Sequence, residues 1–367
     1  MTKSQTAVTK VVIMAGGTGG HVFPGIALAQ AFAQRGITTH WLGTAGGMES
    51  EWVTKAGLNI STISIKGLRG NGLKGWLLAP FKVVKAFIQA RRILKQQAPG
   101  LVVGMGGFVC GPGGLAARSL GIDLYLHEQN AIPGLTNKLL APLAKRVFCG
   151  FPPVSLSSEK VEVVGNPVRA EIEAVAPLQQ ESIANQNTLL IIGGSRGARA
   201  LNQVLPQALK LIDQHLRPKI QHQTGEADFA ATQQAYAQAG VEADVQPFIE
   251  NMAQAYAQAR IVVARSGALT VSELMAVGRP AILIPFPFAV DDHQTANAQV
   301  MQKLSAADVI QQNDLTPTLL AQRISHWFDP QHALPASVNL HAAAKLGAAE
   351  QLVERVLSLT EGCESGV

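Results

Sequence analysis

Two stretches decide the fold: Val11-Val12-Ile13-Met14-Ala15-Gly16-Gly17-Thr18-Gly19-Gly20-His21 and, about half a chain later, Leu189-Leu190-Ile191-Ile192-Gly193-Gly194-Ser195-Arg196-Gly197-Ala198-Arg199. In each, an apolar run typical of a buried strand leads into a glycine-rich turn and then into a helical pattern. Such a turn leaves backbone N–H groups at the positive end of the helix dipole, where a phosphate or a developing oxyanion is stabilised. The repeat predicts two domains of one type, with an anion-binding turn in each.

Strand-like apolar runs alternate with helical patterns along the whole chain. This alternation predicts parallel sheets with helices on both faces, and therefore an α/β fold of two Rossmann-like, doubly wound domains that face each other across a cleft. The predicted strands are residues 10–14, 38–42, 60–65, 101–104, 123–126, 146–149, 188–192, 219–222, 243–246, 261–264, 281–284 and 307–310.

A chain of 367 residues is longer than one hydrophobic core usually supports, so two domains are expected. The turn signal Asn166-Pro167 and the polar stretch 179–187 mark the boundary between them. We predict a first domain of residues 1–168 and a second domain of residues 169–341. The stretch 335–360 has a long amphipathic pattern, and a C-terminal helix of about 342–367 is predicted to join the first domain.

Composition excludes several classes of protein. With 47% apolar and 15% charged residues, the chain is not disordered. No apolar run reaches the 18 or so residues of a membrane span, and the polar residues 1–10 do not resemble a signal peptide. The cysteines Cys110, Cys149 and Cys363 match no metal or redox spacing, so they are predicted to have no role in a site. We expect a cytoplasmic protein that is soluble or peripheral to a membrane.

Positive charge is concentrated in one segment, because residues 52–122 contain no Asp or Glu. A positive face attracts nucleic acid, anionic lipid or a phosphorylated substrate, and charge alone does not choose among them. Within this segment, residues 76–97 form an amphipathic helical pattern, and packing against the core is the favoured interpretation. The loop 67–78 combines glycines with Leu, Trp and Lys, which predicts contact with an anionic membrane.

The glycine turns do not match the common nucleotide-binding motifs. Val22 occupies the third glycine position of the dinucleotide fingerprint, and the chain has no Gly-Lys-Ser/Thr of a P-loop. No Asp-x-Asp occurs, so a bound diphosphate is expected to rely on helix N-termini without a metal ion. His21, beside the first turn, is either a general base or a hydrogen-bonding residue of the loop.

Two polar segments follow predicted strands in the second half. Glu273 ends the segment 265–273, where it either accepts hydrogen bonds from a ribose diol or caps its helix. The segment 291–297 offers adjacent polar side chains after the strand exit at 285–287. Both segments are expected at the ligand-binding edge of the second sheet.

Six motifs, in this order, resemble the MurG family of bacterial glycosyltransferases. They are Ala15-Gly-Gly-Thr-Gly-Gly-His-Val-Phe-Pro24, Gly104-Met-Gly-Gly-Phe108, His127-Glu-Gln-Asn130, Gly165-Asn-Pro-Val-Arg169, Gly193-Gly-Ser-Arg-Gly-Ala-Arg199 and Arg265-Ser-Gly-Ala-Leu-Thr-Val-Ser-Glu273. The resemblance implies a GT-B fold and inverting transfer of GlcNAc from UDP-GlcNAc to the 4-hydroxyl of MurNAc in undecaprenyl-diphospho-MurNAc-pentapeptide. This is the lipid I to lipid II step of peptidoglycan synthesis. A peripheral enzyme on the cytoplasmic face of the inner membrane, with no required cofactor and no nucleic acid partner, is implied as well.

The resemblance also assigns residues to substrates. It places Thr18, Gly19 and Gly20 near the donor sugar and the acceptor. It assigns contacts with the GlcNAc to Asn130 and Gln294, and contacts with the donor nucleotide to Arg169 and Ser195. The uridine is assigned to Ile249, Ala268, Leu269, Thr270, Val271, Ser272 and Glu273, with Glu273 on the ribose. A lipid-linked acceptor gives the predicted membrane contact a purpose, and we assign that contact to Lys74, Trp76, Leu77, Lys82 and Lys85.

The sequence departs from the family pattern at two positions. Phe108 stands where tyrosine is frequent, which excludes an acid or base there, and Arg196 stands where relatives carry Gln. Two alternative functions remain open. One is another GT-B nucleotide-sugar enzyme, such as a UDP-GlcNAc epimerase or a transferase with a soluble acceptor. The other is a non-catalytic nucleotide-sugar binding module.

Overall fold

The structure is a computed structural model that describes residues 8–47, 49–65, 72–156, 159–193 and 197–362, without the side chains of residues 72–79. The chain divides into two compact units. The first unit is Met1–Val168 with Gly347–Val367, and the second unit is Arg169–Leu346.

Each unit is built on one parallel β-sheet. The strands of the first unit are β1 (Lys10–Ala15), β2 (Thr38–Thr44), β3 (Asn59–Ile63), β4 (Leu101–Gly106), β5 (Asp123–Glu128), β6 (Arg146–Cys149) and β7 (Val161–Val163). Those of the second unit are β8 (Thr188–Ile192), β9 (Lys219–Gln223), β10 (Asp244–Gln246), β11 (Ala259–Ala264), β12 (Ala281–Leu283) and β13 (Ala307–Val309). Over the described residues, the strand orders are β3-β2-β1-β4-β5-β6-β7 and β10-β9-β8-β11-β12-β13. All twelve predicted strands are present and the α/β fold with two parallel sheets is confirmed; β7 is an additional edge strand that the prediction missed.

Helices connect successive parallel strands, except that none is described between β6 and β7. In chain order they are α1 (Gly19–Gln34), α2 (Glu49–Lys55), α3 (Gly72–Gln97), α4 (Cys110–Ser119), α5 (Leu135–Leu140), α6 (Ala170–Glu173), α7 (Arg199–Lys210), α8 (Phe229–Ala239), α9 (Met252–Gln258), α10 (Ala268–Ala276), α11 (His293–Gln302), α12 (Pro317–Phe328), α13 (Pro330–Ala343) and α14 (Ala348–Glu361).

Alternate residues of β1 enter two core layers of the first unit. Ile13 belongs to the layer that includes buried side chains of α1, α2 and α14, whereas Met14 belongs to the layer that includes those of α3, α4 and α5. Trp41 of β2 lies between the sheet and α1, and its Nε1–H donates to the carbonyl of Ala15 at the end of β1 over 3.0 Å. A Cβ atom at Gly25 of α1 would lie 2.6 Å from the Trp41 ring, so glycine permits this close packing.

The amphipathic stretch 335–360 is not a single helix. It spans α13 and α14, which are separated because Ala344 is extended (ψ 142°) and Gly347 has a left-handed φ of 65°. Helix α14 packs on α1 in the first unit. Its Arg355 donates to the Glu162 carboxylate over 2.9 and 3.0 Å.

Among the helices that the structure describes, none combines the length and apolar character required to cross a bilayer.

Candidate active site

Both sheets place a glycine turn where ligands bind in open α/β sheets. The strand order reverses between β1 and β4 in the first unit and between β8 and β11 in the second. Ligands bind outside the carboxyl ends of the strands at such a reversal point. The turns Gly16–Gly20 and Gly106–Gly107 follow β1 and β4, whereas the segments 193–198 and 265–267 follow β8 and β11. Each unit therefore has one candidate binding edge.

The first turn exposes main chain at the start of α1. Gly17 has a φ of 97°, which favours glycine, and Gly17, Thr18 and Gly20 are exposed. Thr18 is the N-cap of α1, but its side chain does not cap the helix. A ligand is therefore able to approach the backbone of this turn.

His21 lies against the second turn of the same unit. A Cβ atom at Gly106 would be 2.6 Å from Cδ2 of His21, so the half-buried imidazole packs directly on the Gly106 main chain. A side chain at Gly107 would collide with the carbonyl of Gly16, so the two turns also touch each other. The structure thus brings together two motifs that are 90 residues apart in the sequence.

Cys110 supports the second turn, contrary to the prediction that the cysteines have no role. Its buried Sγ accepts the N–H of Gly106 over 3.2 Å and donates to the carbonyl of Met14 over 3.2 Å. Burial raises the pKa of the thiol to about 12, so it remains protonated at neutral pH. Cys110 therefore stabilises the backbone at the ends of β1 and β4.

Asn130 is held by a carboxylate that sequence reasoning did not single out. The buried Glu128, at the end of β5, accepts the backbone N–H of Asn130 over 3.0 Å and its Nδ2–H over 3.1 Å. Further N–H groups of Gly134 and Asn137 donate to the other oxygen, each over 2.9 Å. With four donors, Glu128 fixes both the backbone and the side chain of Asn130.

In the second unit, Gly193 lies close to the N-cap of the helix that follows it. A Cβ atom at Gly193 would lie 2.6 Å from the backbone nitrogen of Ala198, and Gly197 has a φ of 73°. Helix α7 then begins at Arg199 without a side-chain cap. The predicted nucleotide residue Ser195, with Arg196, lies outside the described residues.

Glu273 and Arg169 meet at the start of the second unit. The Glu273 side chain is 11% exposed; its Oε2 accepts the hydroxyl of Tyr256 over 2.9 Å, and its Oε1 lies 3.9 Å from Nη2 of Arg169. Burial raises the pKa of Glu273, and the positive charge of Arg169 opposes that effect. The capping alternative is wrong, because α10 begins at Ala268 after the N-cap Gly267, so that Glu273 lies beyond the first turn.

The N-terminus of α10 is itself free of side-chain caps. The predicted uridine residues Ala268, Leu269, Thr270, Val271 and Ser272 form its first five positions. Ala268 and Val271 are buried, whereas the other three are partly exposed. The backbone N–H groups of this first turn are therefore suited to an anionic group.

Ile249 and Gln294 already have hydrogen-bond partners within the second unit. The N–H of the buried Ile249 donates to Oε1 of Gln223 over 3.0 Å, and the N–H of Phe286 donates to Oε1 of Gln294 over 2.9 Å. Sequence reasoning missed Gln223, which lies at the end of β9. A base that used the Ile249 N–H would displace the Gln223 amide.

Arg265 has a structural role. Its Nη1 donates to the carbonyls of Ile284 and Pro285, each over 3.1 Å, and its Nη2 donates to Gln312 over 2.6 Å. The guanidinium also lies over the Phe286 ring, 5.5 Å from its centroid. Arg265 thus holds the loop after β12, which leads to Gln294.

Two buried histidines make the fold sensitive to acid. His127 donates from Nε2 to the carbonyl of Gly165 and accepts Nε2–H of Gln129 at Nδ1, over 2.9 and 3.1 Å. Burial lowers the pKa of His127 to about 4 and that of His222 to about 3. Below the unfolded pKa of about 6.5 the unfolded chain binds protons that the folded chain does not, so stability is complete above this pH and falls below it.

We expect the free energy of unfolding to decrease between pH 6.5 and 4, with His127 contributing about 3 kcal/mol of the decrease. Urea unfolding at pH 7, 5.5 and 4.5 measures the slope of the free energy of unfolding against pH. A His127→Gln variant is expected to show a shallower slope than the unsubstituted protein; parallel slopes would contradict the assignment.

Comparisons with known proteins identify the family. Residues 11–149 match the glycosyltransferase family 28 N-terminal domain, and residues 188–354 match the glycosyltransferase family 28 C-terminal domain. A crystal structure of MurG from Acinetobacter baumannii is 40% identical, with a TM-score of 0.80 over 96% of this chain and 99% of that one. The chain belongs to glycosyltransferase family 28, among the MurG enzymes.

Relatives with similar sequences match this family 28 chain over almost its whole length. A protein of Hydrogenovibrio crunogenus is 55% identical over 98% of this chain and 99% of its own length. A protein of Aeromonas hydrophila is 50% identical over 94% of each chain. Both carry the name UDP-N-acetylglucosamine--N-acetylmuramyl-(pentapeptide) pyrophosphoryl-undecaprenol N-acetylglucosamine transferase. The predicted resemblance and the GT-B fold are confirmed.

Proposed function

We propose that this chain is the UDP-GlcNAc-dependent transferase that converts lipid I to lipid II. It moves GlcNAc to the 4-hydroxyl of MurNAc in undecaprenyl-diphospho-MurNAc-pentapeptide, with inversion. The observation that carries the proposal is the full-length similarity to relatives that bear the name of this activity, 55% for the protein of H. crunogenus. The six motifs on which the resemblance rests lie at the carboxyl ends of the strands or directly after them.

The second unit is proposed to hold the donor. Departure of UDP leaves negative charge on its diphosphate, and backbone N–H groups at the uncapped starts of α7 and α10 stabilise that charge. Preorganised donors of this kind contribute roughly 3 kcal/mol each in other enzymes. Glu273 binds the ribose hydroxyls beside Arg169; Ser195, Ile249, Gln294 and the first turn of α10 complete the proposed site. We propose that no metal ion is required.

The first unit is proposed to hold the acceptor. The exposed turn Thr18–Gly20 lies beside the sugars, and Asn130, which Glu128 holds in place, contacts the GlcNAc. His21 is assigned the role of accepting the proton of the attacking hydroxyl. The support for this role is its position at the reversal point of the sheet, between the two glycine turns.

We expect His21→Ala to lower kcat about 100-fold without weakening the binding of UDP, because a general base acts only on the chemical step. Steady-state kinetics with a lipid-linked acceptor and calorimetric titration with UDP measure the two quantities. His40→Ala is the matched control, since His40 is a half-buried histidine of the same unit that bonds Ser61 over 2.9 Å. An unchanged kcat in His21→Ala would show that His21 is not the general base.

Helix α3 is proposed to contact the membrane, in a way that differs from the sequence prediction. The body of α3 packs on the core through Ala86, Ala90 and Leu94, whereas Phe81, Val84 and Ile88 are 75%, 56% and 60% exposed. The three exposed residues are called the apolar face of α3. The proposed contacts Lys82 and Lys85 are exposed next to it, whereas the side chains of Lys74, Trp76 and Leu77 lie outside the described part of the chain.

Neighbouring helices also expose apolar side chains. Helices α3, α4 and α5 contribute to one core layer, and α4 packs against both of the others. Leu115 of α4 and Leu135 and Leu139 of α5 are also exposed. Apolar side chains with adjacent lysines favour an anionic bilayer surface, which is consistent with a lipid-linked acceptor. We therefore propose a peripheral enzyme at the cytoplasmic face of the inner membrane, without a nucleic acid partner.

Turnover tests the proposed function directly. Purified protein is mixed with UDP-GlcNAc and a lipid-linked muramyl-pentapeptide acceptor, with and without EDTA, and UDP and the glycosylated lipid are quantified. We expect both products only when the acceptor is present, in either buffer. Binding of UDP-GlcNAc without turnover would favour a binding module, and UDP release with a soluble acceptor alone would favour a different GT-B enzyme.

A further inference from the structure

A buried carboxylate in the first unit has no role in the function proposed so far. Glu49 is the first residue of α2 and is fully buried. Its Oε1 accepts the N–H of Thr44 over 2.8 Å and also the Thr44 hydroxyl, and its Oε2 accepts the N–H of Gly17 over 3.4 Å. Among the residues that the structure describes, no Lys, Arg or His forms an ion pair with Glu49.

Three glycines make room for this carboxylate. A Cβ atom at Gly16 would lie 3.0 Å from Oε1 of Glu49, one at Gly43 would lie 3.3 Å from its Cγ, and one at Gly47 would collide with the carboxylate. Gly16, Gly43 and Gly47 do not have a left-handed φ. A Cβ atom at Gly43 would also lie 3.0 Å from Cδ1 of Ile60, so side-chain packing, with Glu49 involved at all three positions, explains these glycines better than backbone conformation does.

The contacts of Glu49 join two walls of one cavity. The lining of a cavity of about 190 Å³ includes Gly16, Gly17, Thr44, Gly47 and Phe108. Glu49 bonds Gly17 on one wall and Thr44 on the other, so the separation of the walls depends on its carboxylate. An unpaired buried carboxylate is costly unless N–H and O–H donors satisfy it, which makes its position well defined.

We propose that Glu49 is a positioning residue for the acceptor: it fixes the Gly16–His21 turn relative to the loop after β2 and so sets the shape of the cavity that receives part of the muramyl acceptor. This inference rests on the proposed function of the chain. Glu49 does not touch the reacting atoms, since it is enclosed by main chain. Its loss displaces the turn that carries Thr18 and His21, and small displacements of positioned groups reduce rates strongly.

Glu49→Gln tests the inference, because it retains the size of the side chain and replaces one acceptor oxygen with a donor. We expect kcat/KM for the lipid-linked acceptor to fall about 10- to 100-fold, while the Kd for UDP, whose proposed site is in the second unit, stays within about twofold. Glu51→Gln is the matched control, since Glu51 is exposed on the same helix and pairs only with Lys55 at 2.8 Å among the ion pairs of the described residues. It is expected to behave like the unsubstituted protein.

Hydrogen exchange gives a second readout that does not depend on activity. We expect faster exchange of the Gly17 amide in Glu49→Gln than in Glu51→Gln. If Glu49→Gln does not fold, Thr44→Val, which removes only the hydroxyl donor, is expected to lower kcat/KM for the acceptor several-fold. Unchanged kcat/KM and exchange, or an equal loss of UDP binding, would overturn the inference. Absence of turnover in the unsubstituted protein would instead count against the proposed function, and the exchange rates alone would then decide the role of Glu49.

Discussion

Replacing the apolar face of α3 with serine, as Phe81→Ser, Val84→Ser and Ile88→Ser together, is expected to weaken binding to anionic vesicles at least about 100-fold. Each of the three exposed side chains contributes roughly 1 kcal/mol or more when it enters the bilayer interface. The side chains that hold α3 on the first unit are different ones, namely Ala86, Ala90 and Leu94. The free energy of unfolding is therefore expected to stay within about 0.5 kcal/mol.

Vesicle co-sedimentation at low and high salt measures this effect. Binding of the unsubstituted protein is expected to weaken with salt, because Lys82 and Lys85 attract anionic lipid. A second variant with Leu211→Ser and Leu216→Ser changes two exposed leucines of the second unit and is expected to bind vesicles normally. Equal vesicle binding of the triple variant and the unsubstituted protein would contradict the proposed membrane surface.

Glu273→Gln is expected to raise the KM for UDP-GlcNAc about 10- to 100-fold, since hydrogen bonds to a charged group contribute roughly 1.5 to 3 kcal/mol. An ionised carboxylate accepts both ribose hydroxyls, whereas a glutamine side chain accepts through one oxygen only. The kcat for the bound substrate is expected to change less, because the ribose is remote from the transferred sugar. Initial rates over a range of UDP-GlcNAc concentrations measure both constants.

The free energy of unfolding of Glu273→Gln distinguishes a role of Glu273 in binding from a role in stability. Because burial raises the folded pKa of Glu273, the stabilising contribution of the group is present at low pH and is lost as pH rises through that pKa. At pH 7 the Glu273→Gln variant is therefore expected to be at least as stable as the unsubstituted protein. Glu171→Gln is the matched control: Glu171 is an exposed carboxylate 3.5 Å from the same Arg169 guanidinium, and its loss is expected to leave KM unchanged. Equal KM values in the two variants would contradict the ribose assignment.

The central strands could be predicted from local sequence, whereas an edge strand could not. β1 and β8 are covered on both faces, so their sequences are continuous apolar runs that only a buried strand explains. β7 has only three residues, and its central Glu162 reads as a loop residue. In the folded protein, the carboxylate of Glu162 accepts a hydrogen bond from Arg355, which is 193 residues away in the sequence. Pairing at this distance leaves no local signal.

The amphipathic pattern of α3 identified a helix but not the face that is buried. Large apolar side chains usually point to the core, so Phe81, Val84 and Ile88 were expected to be covered. The structure instead buries the small side chains Ala86 and Ala90, with Leu94. Periodicity alone gives the same pattern for a core-facing and for a membrane-facing surface.

The candidate site also contains residues that the sequence predicts and residues that it does not. Its glycine turns and Glu273 follow strands directly, so local sequence and the family resemblance were sufficient to find them. Glu49, Glu128 and Gln223 act through contacts with backbone groups of other loops, and their positions depend on tertiary structure. A buried carboxylate or amide of this kind looks like any other polar loop residue in the sequence.

A crystal structure of this protein with UDP-GlcNAc is the most direct test of the account. The predicted result is a nucleotide at the carboxyl ends of β8 and β11, with its ribose on Glu273, its diphosphate at the uncapped helix N-termini of the second unit, and no metal ion bound to it. A nucleotide seated instead on the Gly16–His21 turn of the first unit would contradict the account.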